Sequence, residues 1–180
     1  MTRFGYVMTT YFSVLAIGGL SLVSVTPRLI WNATASTPVG LYAVRPVRRP
    51  AVGDLLAVRP PEPLAGFLAK GGYLPRGVPL LKQVAAVAGD TVCRNGLTIT
   101  IDGVAVATAH DRDHLGRPLP SWSGCRSLGA GELFLLNRHP DSLDGRYFGP
   151  VPASVVLGRA RPLLTDERGD GTFQWWATTR

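Results

Sequence analysis

Asn95-Gly96-Leu97-Thr98-Ile99-Thr100-Ile101-Asp102-Gly103-Val104-Ala105-Val106 is the most regular stretch of this 180-residue chain, and its reading decides the fold class. Asn-Gly readily supplies the two positive-φ positions of a tight hairpin turn. Leu97, Ile99 and Ile101 then alternate with threonines, which is the period of a half-buried strand. Asp102-Gly103 repeats the turn signal, and Val104 and Val106 resume the alternation. Working outward, short strands are expected at Leu41 to Arg45, Asp54 to Val58, within Val78 to Val87, at Gly131 to Leu136 and at Val155 to Ala160. Proline- and glycine-rich segments separate them. Pro60 to Pro79 reads as a loop or a short irregular lid, and residues 108–125 read as a polar loop. No amphipathic helix and no internal repeat is evident in this part of the chain. It is therefore expected to be mainly β, a set of coiled antiparallel sheets.

The N-terminus breaks this pattern. Residues 4–26 carry no charge, and Pro27 and Arg28 end the run. At ~1.5 Å per residue the run reaches ~34 Å as a helix, enough for a bilayer core of ~30 Å. A cleavable signal peptide has an apolar stretch of only ~7–15 residues, although Ala33-Thr34-Ala35 does look like a small-residue cleavage site. A single transmembrane anchor is the better reading. Arg3 favours a cytoplasmic N-terminus, so the rest of the chain is expected outside the cytoplasm.

Bulk composition narrows the function. Hydrophobic content is 46%, enough for a packed core. The formal net charge is +7, and Lys70 and Lys82 are the only lysines among 19 basic residues. The arginines are scattered, with no basic helix or aromatic-interleaved stripe, so nucleic acid is not an expected partner. Cys93 and Cys125, with His110, His114 and His139, show no zinc spacing, so neither a metal nor another cofactor is expected. In an oxidising compartment the two cysteines can form one disulfide. Phe173, Trp175 and Trp176 either lie at the membrane surface or cap the core as a final strand.

Three stretches could carry chemistry. The first is Asn32-Ala33-Thr34-Ala35-Ser36-Thr37-Pro38-Val39-Gly40-Leu41-Tyr42. Pro38 stiffens it and Gly40 permits close backbone approach, so Ser36 sits on a stiff loop entering a strand. It reads either as a nucleophile or as part of a polar loop leaving a membrane. The second is Lys82, inside the apolar run Val78 to Val87. A lysine there is either an edge-strand guard against pairing or a desolvated amine whose lowered pKa lets it accept a proton. The third is the turn-rich segment Asn137 to Pro152, where Asp144 and Arg146 can pair and Ser142 can hydrogen-bond an amine. Alone it reads as a surface loop laced with ion pairs.

Together, in this order behind an apolar N-terminus, the three stretches resemble the type I signal peptidase (leader peptidase) family of serine–lysine proteases. Within it they look most like the conjugative-transfer, TraF-like branch. Ser36-Thr37-Pro38-Val39-Gly40-Leu41-Tyr42 is similar to that branch's nucleophile box. Leu81-Lys82-Gln83-Val84 with Ala88-Gly89-Asp90 is similar to the general-base box. Asp141-Ser142-Leu143-Asp144-Gly145-Arg146-Tyr147-Phe148-Gly149 resembles the final box. The resemblance implies a mainly β fold of the signal-peptidase type with one N-terminal transmembrane helix. It implies a membrane anchor over residues 1–27 and a periplasmic serine peptidase domain over 28–180. Ser36 would be the nucleophile and Lys82 the general base. Thr34 and the Ser36 backbone N–H would line the oxyanion hole, Ser142 would orient the lysine, and Asp144 with Arg146 would brace the site. A Cys93–Cys125 disulfide is expected from the periplasmic location.

Departures from the general pattern are specific. Pro38 follows the serine by two residues, as in the conjugative branch. Gln83 stands where general leader peptidases often have arginine, and residues 137–140 lack the usual Gly-Asp-Asn start. The expected substrate is a pilin precursor, with membrane lipid as the other partner, at the inner membrane. Three alternatives stand beside it: a general leader peptidase for exported proteins, a non-catalytic membrane component of a transfer channel, and a Ser-His-Asp hydrolase using His139.

Overall fold

The computed structural model of the chain describes residues 2–21 and 28–177. α1 (Arg3–Ser21) comes first, followed by β1 (Leu29–Asn32), β2 (Val39–Arg45), β3 (Leu55–Val58), α2 (Leu64–Lys70) and β4 (Leu80–Ala86). β5 (Thr91–Asn95), β6 (Thr98–Ile101), β7 (Val104–Thr108) and β8 (Gly124–Ser127) come next. β9 (Glu132–Leu135), α3 (Gly145–Phe148), β10 (Val151–Pro152), β11 (Val156–Asp166) and β12 (Gln174–Trp175) complete the order. The larger sheet runs β1-β2-β11-β3-β4-β9-β10, with β12 added to β11, and the smaller runs β7-β6-β5-β8. These pairings are antiparallel, as expected.

β3 lies inside the larger sheet, and all four of its residues are buried. Leu55 and Ala57 pack with Tyr42, Val44 and Ala160 on one face. Leu56 and Val58 pack with Val84, Leu133 and Leu135 on the other. Burial on both faces explains why this strand is an unbroken apolar run rather than an alternating one. Fully burying a side chain such as Leu56 contributes roughly 1.5–3 kcal/mol. Ala86, Val92, Ile99, Leu128 and Phe134 form a third cluster that joins the two sheets.

The Asp102-Gly103 hairpin forms as expected, with both turn residues at positive φ (48° and 80°) and Ile101 opposite Val104. At the other signal the register differs: Asn95 pairs with Thr98, the turn residues are Gly96-Leu97, and only Gly96 takes positive φ (60°). Gly40 has φ +148°, and a Cβ there would lie 2.1 Å from the Leu164 carbonyl oxygen. β2 can approach β11 only because this residue is glycine. Cys93 and Cys125 are register partners on β5 and β8 and are joined by a disulfide, with Cα atoms 4.0 Å apart.

Several elements differ from expectation, including α3 and β10 inside the turn-rich segment 137–152. α2 forms inside the stretch expected to be a loop or lid; seven residues are too few to show a helical period. The short strand β1 pairs with β2, where no strand was expected. β8 begins inside the 108–125 stretch expected to be a loop, starting at Gly124 and running on to Ser127. β11 continues past Pro162 to Asp166, because a register shift between Pro162 and Leu164 absorbs the missing proline N–H. α1 carries exposed apolar side chains including Phe4, Tyr11, Phe12 and Ile17. Among the described residues no helix is long and apolar enough to cross a membrane. The end of the expected anchor, residues 22–27, lies outside the described residues.

Candidate active site

The hairpin between β1 and β2 carries Ser36, and a buried asparagine shapes its turn. The Asn32 amide donates to the carbonyl oxygens of Thr34 (2.8 Å), Thr37 (2.9 Å) and Pro38 (3.1 Å). Its Oδ1 accepts from the Thr34 N–H (3.2 Å) and the Thr34 hydroxyl (2.8 Å). The Tyr42 hydroxyl donates to the same Pro38 carbonyl at 2.7 Å. Ser36 is left half-buried at the apex, with Thr34 exposed beside it. The turn keeps one geometry because its carbonyls are satisfied internally rather than by water.

Lys82 lies on β4, between β3 and β9, and is 3% exposed. That position excludes the edge-guard reading, which needs a solvent-facing edge strand. Its Nζ donates to the Ser142 Oγ at 2.8 Å. Burial pushes the amine down to about 8; the Asp144 carboxylate opposes the shift and the Arg146 guanidinium adds to it. Ser36, Thr34, Lys82 and Ser142 line one cleft of about 780 Å³.

The 137–148 segment is built on a buried ion pair rather than on a surface network. Arg146 and Asp144 are 3.1 Å apart, with side chains 3% and 0% exposed. Asp144 also caps α3, accepting from the Arg146 N–H at 3.2 Å, and accepts from the Asn137 N–H at 3.0 Å. The Arg146 guanidinium donates to the carbonyls of His139 (3.1 Å), Ser142 (3.2 Å) and Asn137 (2.8 Å). Burial raises the Asp144 carboxyl above the ordinary aspartate value, against the pull of Arg146, Lys82 and two backbone N–H donors. From the smaller sheet, Arg94 donates to the Arg146 carbonyl at 2.5 Å.

Other groups frame the cleft. Tyr73 donates to Asp113 Oδ2 at 2.5 Å, and Arg117 Nε donates to the same oxygen at 2.7 Å. Arg117 also reaches the Gly71 carbonyl at 2.7 Å and lies over the Tyr73 ring at 4.5 Å. This latch ties the segment after α2 to the 110–119 loop along one side of the cleft. His139 also lines the cleft, but the Asp141 carboxylate lies 3.6 Å from His110 Nε2, and Asp144 is engaged by Arg146. His139 Nδ1 itself accepts from the Asp141 backbone N–H at 3.2 Å, so the ring nitrogen that a carboxylate would orient in a Ser-His-Asp arrangement is taken by the backbone.

The three stretches singled out in the sequence line one cleft, but Asn32, Asn137 and the Tyr73–Asp113–Arg117 latch were not singled out. The available signal was an asparagine at or just beyond the end of an apolar strand, which occurs at both Asn32 and Asn137. No cluster of metal-binding side chains occurs among the described residues.

A family described as Signal peptidase, peptidase S26 matches residues 2–164. The probable conjugal transfer protein TraF of Sinorhizobium fredii (strain NBRC 101917 / NGR234) is 39% identical over 145 residues, 74% of this chain and 76% of that protein. The conjugal transfer protein TraF of Agrobacterium fabrum (strain C58 / ATCC 33970) is 36% identical over 161 residues, 84% of this chain and 90% of that protein. A plasmid transfer protein TraF of Escherichia coli is 34% identical over 148 residues, 74% of this chain and 81% of that protein. Among solved structures, a signal peptidase I from Enterococcus faecalis V583 overlays with a TM-score of 0.38 at 20% identity, covering 63% of this chain and 97% of that one.

Proposed function

The chain belongs to the signal peptidase S26 family, and on that footing we propose that it is a membrane-anchored serine endopeptidase that processes a pilin precursor for conjugative transfer. The observation that carries the reading is the buried Lys82 amine, depressed to about 8, in the cleft that Ser36 also lines. A neutral amine takes the proton from the Ser36 hydroxyl, and the oxygen attacks the scissile carbonyl. The Ser36 N–H and the Thr34 hydroxyl stabilise the oxyanion, the latter turning from its present bond to Asn32. Ser142 holds the lysine at its working angle, and the Asp144–Arg146 pair holds Ser142. Protonated Lys82 then returns its proton to the leaving amine. Water, or the amino terminus of the pilin itself, resolves the acyl-enzyme; the second route yields a cyclic product. The names of the similar proteins support a role in conjugal transfer.

The test is the site of acylation. Full-length protein in detergent is mixed with the pilin precursor of its own transfer system, quenched in acid and digested. The expected mass adduct lies on the peptide containing Ser36. An adduct on another residue, or cleavage with none on Ser36, sinks the assignment.

Residues 1–27 serve as the anchor and residues 28–180 as the periplasmic domain at the inner membrane. The uncharged run 4–26 supports this, as does an exposed aromatic group downstream of it. The Trp31 and Phe173 rings lie 5.9 Å apart in a tilted arrangement, and Trp175 and Trp176 follow Phe173 and are exposed. They are not buried as a core cap, and such rings favour the bilayer interface. A reporter enzyme fused after Arg180 is expected to be active only in its periplasm-dependent form. Activity of a cytoplasm-dependent reporter at that position overturns the topology.

A further inference from the structure

Asn137 lies two residues beyond the end of β9. Its side-chain amide donates to the Ser36 carbonyl (3.0 Å), the Thr37 hydroxyl (3.1 Å) and the Leu81 carbonyl (3.1 Å). Its Oδ1 accepts from the Gln83 N–H at 2.9 Å. One side chain thus grips the residue carrying the hydroxyl and both chain neighbours of Lys82. Its backbone is gripped in turn: its N–H donates to Asp144 and its carbonyl accepts from Arg146. It is 4% exposed, so these bonds do not compete with water. The three stretches of the cleft meet at this amide, and the contacts span 101, 56 and 54 positions of sequence.

We propose that Asn137 is the positioning residue that sets the spacing of Ser36 from Lys82. The inference rests on the serine–lysine reading above. Asn137 touches neither the Ser36 hydroxyl nor the Lys82 amine in this structure; its bonds go to the backbone on either side of them. A shift of ~1 Å between nucleophile and base can cost ~10²-fold in rate with little change in binding. Only an amide fits all the contacts, because a donor must face two carbonyls while an acceptor faces an N–H.

The experiment compares wild-type, Asn137→Asp, Asn137→Ser and Ser36→Ala full-length proteins in detergent. Asn137→Asp keeps the acceptor for Gln83 but turns a carboxylate toward two carbonyls. Asn137→Ser is small enough to fold yet too short to reach Ser36. Both are expected to lose about 100-fold in kcat with KM within about threefold, and to melt below wild type while remaining folded, because buried partners are left unsatisfied. The second readout is independent of turnover. The chain has only two lysines, Lys70 and Lys82, so isotope-labelled lysine yields two amine signals. The Lys82 midpoint is expected to rise in both variants: the new carboxylate favours the ammonium in one, and entering water solvates it in the other.

Unchanged kcat and an unchanged Lys82 midpoint in a folded Asn137 variant overturn this inference alone. Rapid cleavage by Ser36→Ala overturns the serine–lysine reading instead. In that event the Lys82 titration still reports whether Asn137 holds the lysine strand.

Discussion

Lys82→Met and Lys82→Arg are each expected to lose peptide cleavage by roughly 10⁴-fold or more while the domain still folds, the scale seen when one member of a catalytic unit is removed. Methionine has nearly the same length without an amine. Arginine keeps a positive charge but stays protonated at any accessible pH, so it cannot accept the Ser36 proton. If Lys82 were only an ion-pair partner, arginine would be tolerated better than methionine. Ser36→Ala is expected to be as inactive, and the Ser36→Ala/Lys82→Met pair no worse than either alone, because the two act as one unit. Substantial cleavage by folded Lys82→Arg protein refutes the mechanism.

The pH profile supplies an independent check. The neutral fraction of an amine near 8 grows as pH rises, so kcat/KM of the wild type should climb through about pH 8 and level above it. The sign for stability follows from the same shift. The folded state binds the Lys82 proton less tightly than the unfolded chain does. The cost of burying the charged amine is therefore present below about pH 8 and is relieved as pH rises toward the ordinary lysine value. A rate that falls across this range, or is flat from pH 6 to 9, is incompatible with Lys82 as base.

Asp144→Ala is expected to be the most damaging change to the fold, at about 3–5 kcal/mol, because it leaves the Arg146 charge buried without a counter-ion. For a domain of this size that corresponds to a fall in melting temperature of roughly 6–20 °C. The loss includes the α3 cap and the acceptor for the Asn137 N–H. Replacing both partners, as Asp144→Met/Arg146→Met, should recover much of the stability, since an apolar pair has no charge to desolvate. Activity should not return with it, because the Arg146 bonds that hold the Ser142 and Asn137 carbonyls are gone. A melt for Asp144→Ala within about 2 °C of wild type would show that water or another group already compensates Arg146, and the bracing role would fail.

How much of this was legible in sequence depends on the range of the interactions. The two hairpins were readable because turn chemistry and strand period act over a few neighbouring residues, although the first turns on Gly96-Leu97 rather than on Asn95-Gly96. Gly40 was readable for the same reason, as a position that only glycine tolerates where two strands meet. The Asp144–Arg146 pairing lay two residues apart and was visible as a possibility. β1 and α2 were not, because four and seven residues hold too little of either period. Nor was the end of β11, since a bulge at Pro162 depends on its partner β2 rather than on local preference.

The decisive facts about the site were of the second kind. The sequence by itself determined that Ser36, Lys82 and Ser142 sit in three ordered boxes and that a lysine interrupts an apolar strand. Only the tertiary structure decided that this strand is interior, that the amine is 3% exposed, and that it meets Ser142 across 60 positions. Desolvation is a property of everything packed around a group, so no local pattern encodes the depressed lysine. Asn137 is the clearest case: as a residue type it suits an exposed turn, and it becomes the joint of the site because folding brings Ser36, Leu81 and Gln83 within 3.1 Å of one amide.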